Sequence, residues 1–159
     1  MSGLTLFHVI ISLIAIVSGI AVAQGFIAAR RHNKSTLVYL VTTIVTLITG
    51  FFFPFHGFTP AIGIGILCVA IFIPTALARY SFHMAGFWLP VYIVGSLVLF
   101  FFNCLVLIVQ SFQKIPVLNA LAPTGNELPI VAVQAILLIA FLVVGFLSLR
   151  RFRPSALSF

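Results

Sequence analysis

Five apolar runs of 18 to 26 residues, parted by short polar connections, constrain this chain more than any other feature. A helix needs about 20 mostly apolar residues to cross the hydrocarbon core of a bilayer, with a usual range of about 17–25. The runs extend from Leu4 to Ala29, Thr36 to Phe53, Ala61 to Ala78, Leu89 to Gln110 and Pro129 to Leu149. They predict an all-α, polytopic transmembrane bundle of five spans, with residues 1–159 as a single domain. Composition agrees: 63% of residues are hydrophobic and 6% charged, against roughly 45–50% and about 25% in soluble domains. No water-soluble fold of this length hides that much apolar surface.

The cations orient the bundle. Loops rich in Lys and Arg stay cytoplasmic, and Arg30, Arg31 and Lys34 follow the first span, Arg79 ends the third, and Arg150, Arg151 and Arg153 follow the fifth. The alternate connections contain only Lys114. All basic clusters therefore fall on one side if the N-terminus is outside and the C-terminus cytoplasmic. A net charge of +7 would suggest nucleic acid as partner of a soluble chain. Set beside apolar runs, Arg30, Arg31, Lys34, Arg150, Arg151 and Arg153 instead point to anionic lipid headgroups, with no nucleic acid expected.

Ala21-Val22-Ala23 has the small-residue pattern of a signal-peptidase site. The missing N-terminal charge, the length of the run and the Arg-Arg-His-Asn-Lys stop signal favour a retained span. Pro54 to Pro60, with a proline at each end and Gly57 inside, predicts a tight external turn. The connection from Ser111 to Leu128, carrying Pro116, Pro123 and Gly125 around apolar patches, is expected to lie on the membrane surface.

Polar side chains at membrane depth normally face other helices. At roughly 100° per residue, Tyr92, Ser96, Asn103 and Gln110 fall within about 40° of one another. Ser35 shares a face with Thr42, Thr46 and Thr49, and His8 and Ser12 align with Ala15, Gly19 and Ala23. With Gln134, these residues predict one polar bundle interior. Threonine hydroxyls can return a hydrogen bond to their own helix, so packing accounts for them. Asn103 needs a partner elsewhere.

His32 and His83 fall at the basic ends of spans and read as interfacial. His8 and His56 fall at the outer side, and two imidazoles at similar depth beside small residues are the minimum for a b-type haem. A metal site would lack a third ligand, and none is predicted. Glu127, the single acid, excludes paired-carboxylate catalysis and can pair with Lys114 across the external loop, an exposed contact worth little. Cys68 and Cys104 stand apart in apolar runs and read as small hydrophobes. No nucleophile elbow, phosphate loop or zinc-protease motif occurs, and no catalytic residue is assigned.

Several blocks carry a resemblance: Thr49-Gly50-Phe51-Phe52-Phe53-Pro54-Phe55, Ala78-Arg79-Tyr80, the stretch from Asn103 through Gln110, Phe112, Lys114 and Pro116 to Leu118-Asn119-Ala120-Leu121-Ala122-Pro123-Thr124, and Arg150-Arg151-Phe152-Arg153-Pro154. The chain resembles a family of small multi-span inner-membrane proteins of proteobacteria that carries no assigned activity. The resemblance implies a bacterial inner-membrane location and a helical bundle. A His followed by Ser and Gly in a first span is also similar to small bacterial membrane proteins with proposed haem or respiratory-chain roles. Family members tend to carry a His early in the third span, where this chain has Ile62 and Gly63.

Three functional expectations follow. The first is a non-enzymatic accessory or assembly subunit, working with a protein partner or as a homo-oligomer. The second is a haem- or quinone-binding redox protein using His8 and His56. The third is a proton or small-solute pathway along His8, Thr46, Asn103 and Gln110.

Overall fold

The computed structural model describes residues 3–30, 32–54, 57 and 59–152. Among the described residues there are six helices: α1 Gly3–Ile27, α2 Asn33–Gly50, α3 Pro60–Tyr80, α4 Trp88–Lys114, α5 Pro116–Leu121 and α6 Leu128–Arg151. No strand occurs among the described residues. Four helices, α1, α3, α4 and α6, are long and apolar enough to cross a membrane. The fifth long helix, α2, is the least apolar, because five threonines join Asn33, Lys34 and Ser35 in its 18 residues.

Local chemistry sets the ends. Pro54 disfavours helical backbone at Phe53, so α2 stops at Gly50 rather than at the expected Phe53, and Phe51 and Phe52 close it with bonds to the Ile48 and Thr49 carbonyls. Thr59 caps α3 by accepting the Ile62 amide, with Pro60 in the first turn. The connection from Ser111 to Leu128 is shorter than expected, since α4 runs on to Lys114 and Pro116 opens the short α5. Phe112, Ala122 and Ile130 bury a small core of their own there.

The long helices alternate in direction, and three contacts show which ends meet. Phe26 of α1 packs on Phe152 after α6, ring centroids 5.0 Å apart. Arg79 of α3 bonds Asn33 of α2. At the other end His8 of α1 bonds Thr49 of α2. Arg30, Lys34, Arg79, Arg150 and Arg151 thus share a basic end, while Lys114 and Glu127 lie at the opposite one. Arg31 and Arg153 lie outside the described residues.

Helix α4 is the hub, touching α1, α3, α5 and α6, and it buries Tyr92, Ile93, Ser96, Leu97, Leu99 and Phe100. Small residues let its neighbours approach. A Cβ on Gly19 of α1 would come within 2.8 Å of Phe100, and one on Gly95 of α4 would run into the Thr75 hydroxyl of α3. On the periphery, α6 buries only Ile130 and Ser148.

Candidate functional site

His8 sits one turn into α1, half-buried against the end of α2. Its Nδ1 lies 2.8 Å from Thr49 Oγ1. The Thr49 hydroxyl is 2.8 Å from the Val45 carbonyl and 3.1 Å from that of Thr46. A hydroxyl has one proton to give. Donated back along its own helix, it leaves the oxygen to accept Nδ1–H from His8, and this tautomer carries a free lone pair on Nε2. Phe53 stands edge-on to the imidazole at 5.2 Å, and Gly50 of α2 lies beside Cε1. His56, the other half of the predicted pair, lies outside the described residues.

Deeper in, Asn103 of α4 donates Nδ2–H to the Ser12 carbonyl of α1 at 3.3 Å. It finds the off-helix partner its amide requires. Ser12 returns its hydroxyl to Val9, and Thr42 returns its own to Val38 and Tyr39. The Thr46 hydroxyl is buried without a partner. Gln110 keeps the angular position expected of it but is exposed, and Gln134 is half-buried. Angular alignment does not say whether a neighbour stands opposite, and at Gln110 none covers the side chain. No hydrogen bond joins any two of His8, Thr46, Asn103 and Gln110.

The densest polar network lies at the basic end and includes residues the sequence pattern did not single out. Arg79 donates from Nη2 to Asn33 Oδ1 at 2.9 Å and from Nη1 to the Tyr92 hydroxyl at 3.3 Å. Its guanidinium carbon stands 5.4 Å from the Tyr92 ring centre and 5.8 Å from that of Tyr80, within cation–π range. The Tyr92 hydroxyl faces Thr36 Oγ1 at 3.5 Å. One turn deeper, Tyr39 donates to the Ser96 carbonyl at 2.8 Å. Tyr92 and Ser96 of the predicted stripe are therefore interior, and their partners on α2 are Thr36 and Tyr39. The spacing Thr36, Tyr39, Thr43 carried that signal, as a second face beside the row read from Ser35.

Glu127 does not pair with Lys114. Its Oε1 accepts the Thr124 amide and hydroxyl at 2.9 and 2.8 Å, and Oε2 accepts the Asn126 amide at 3.0 Å. These donors, the Thr124 amide foremost, hold its pKa down to about 2. The carboxylate clamps the loop ahead of α6, where the positive end of a helix dipole favours it. Beside it, Phe112, Gln113, Asn119, Thr124 and Ile130 line a cavity of about 190 Å³. Its side chains offer amides and a hydroxyl but no titrating acid or base.

Cys68 and Cys104 are free thiols, buried and half-buried. No group of three or more His, Cys, Asp or Glu able to hold a metal occurs among the described residues. The architecture is that of an all-helical bundle with four helices of membrane-crossing length. No protein-family model, curated protein or solved structure matches the chain.

Proposed function

We propose that this is a bacterial inner-membrane protein of five spans, N-terminus outside and basic end cytoplasmic, acting as a non-enzymatic accessory or assembly subunit. One observation carries the reading: the polar side chains that meet across the bundle do so in contacts that hold helices together. His8 holds α1 to α2, Asn103 holds α4 to α1, and Arg79 holds α3 to α2 and α4. Helix α2 is bonded near both ends to helices of membrane-crossing length, which supports counting it as the fifth span. The collection of Arg30, Lys34, Arg79, Arg150 and Arg151 at one end supports the orientation. The thinly covered α6 leaves an apolar face open to lipid, a partner protein or a second copy.

Topology reporters inserted at Gly57, Gly86 and Gly125 test the spans and their direction. Periplasmic signals at 57 and 125 with a cytoplasmic signal at 86 are expected, and 57 on the cytoplasmic side would remove α2 from the count. A photo-crosslinking residue in place of Ile136 or Ile139, exposed on α6, tests the subunit role in native membranes. One discrete protein adduct is expected. Turnover by the purified chain on a defined substrate would displace the reading.

The His8 tautomer favours a second reading, haem or quinone binding near the outer surface. Metal-bound histidines commonly donate their other ring N–H to an oxygen, the relation His8 Nδ1 has to Thr49. Haem-replete membranes would then yield protein with a Soret band that is lost on His8→Ala. A colourless preparation would remove haem.

A further inference from the structure

A groove of about 590 Å³ runs along the outside of α1. Its floor is one helical face, from Ile10 through Ile14 and Val17 to Ala21, with Val38 of α2 at its side and Lys34 and Ser35 at its mouth. We propose that this groove seats one acyl chain of an anionic phospholipid whose phosphate meets Lys34 and Ser35.

Three observations carry the assignment. The first is length. Ile10 to Ala21 spans about 16 Å along the axis at roughly 1.5 Å per residue, and one leaflet is about half of the roughly 30 Å hydrocarbon core. The second is polarity. Ser18, the one polar residue on the floor, turns its hydroxyl back to the Ile14 and Ala15 carbonyls at 2.7 and 3.2 Å, so the floor presents hydrocarbon and the polar groups stand at the mouth. The third is charge. The single carboxylate side chain, Glu127, is at the opposite end of the bundle and spent on Thr124 and Asn126. Lys34 makes no ion pair among the described residues, and a cation at the end of an apolar groove suits a lipid phosphate.

The inference rests on the membrane reading above, and the test separates the two. The full chain is extracted from membranes, delipidated in detergent and titrated with phosphatidylglycerol or phosphatidylcholine of equal chain length, with bound lipid counted by native mass spectrometry. One phosphatidylglycerol per chain is expected, preferred over phosphatidylcholine. Lys34→Gln should lower that preference about 5-fold, and Lys114→Gln, at the opposite end of the bundle, should leave it unchanged. Val17→Trp, which fills the groove, should reduce retention of both lipids. An unchanged preference in Lys34→Gln, or an equal loss in Lys114→Gln, overturns the site. Should Val17→Trp misfold, the comparison of Lys34→Gln with Lys114→Gln still decides. Recovery of the chain in the soluble fraction overturns the membrane reading itself.

Discussion

The hydroxyl of Tyr39 donates to the Ser96 carbonyl at 2.8 Å, joining α2 to the middle of α4 across 57 residues of sequence. Both residues are almost fully buried, so neither group has water as an alternative. Tyr39→Phe keeps the ring and its edge contact with Phe100 while removing the donor. A loss of about 1–1.5 kcal/mol is expected, measured by reversible unfolding in detergent. Thr42→Val is the matched comparison, because that hydroxyl serves only its own helix. Its loss should stay within about 0.5 kcal/mol.

That contrast shows how far periodicity reads into the bundle. The row Ser35, Thr42, Thr46, Thr49 is an edge of the buried arc of α2, and its Thr49 meets α1. The same helix also meets α4 through Thr36 and Tyr39, about 100° and 40° round from Ser35 at roughly 100° per residue. A helix between two neighbours buries a wide arc, and spacing alone does not divide it. The long apolar runs were legible because hydrocarbon demands them. Arg79 was legible as a cation but not as the centre of a network, since Asn33 and Tyr92 reach it from other helices. Gln110 has the right angle and no neighbour. Helix α5 is too short for any period to show.

Gly95 of α4 lets the Thr75 side chain of α3 lie against its backbone. A methyl on Gly95 meets the Thr75 hydroxyl, which is itself 2.7 Å from the Ile71 carbonyl. Gly95→Ala should cost about 1–3 kcal/mol by overpacking. Combining it with Thr75→Ala should recover part of the loss. A double-mutant cycle in the same unfolding assay reads the coupling, and strictly additive losses would place the strain elsewhere.

Just beyond α1, Ala29 takes φ 54, the left-handed position that helix closures of this kind usually fill with glycine. The Arg30 amide reaches the Gly25 carbonyl at 2.9 Å and the Ala29 amide reaches Phe26 at 3.4 Å, the paired closure of a Schellman turn. Left-handed backbone costs an L-residue about 1–2 kcal/mol, partly offset by the extra chain entropy that glycine brings to the unfolded state. Ala29→Gly should therefore stabilise the protein by about 0.5–1 kcal/mol. A melting temperature equal to or below that of the natural chain would contradict it.

Glu127 makes the loop ahead of α6 sensitive to acid. Its pKa lies at about 2, below its ordinary 4.5, because three donors from Thr124 and Asn126 favour the ionised form. A depressed carboxyl pKa contributes stability that is complete above the unfolded value and is lost as pH falls through the folded one. The clamp should hold at neutral pH and weaken between about 4.5 and 2. Hydrogen exchange at the Thr124 and Asn126 amides, compared with helical amides of α6, reads this directly. Glu127→Gln should give weaker protection already at neutral pH and abolish the acid-dependent change, since an amide oxygen replaces one carboxylate oxygen and no charge remains to titrate. If both amides stay equally protected from neutral pH down to about 2, the carboxylate is not what orders the loop.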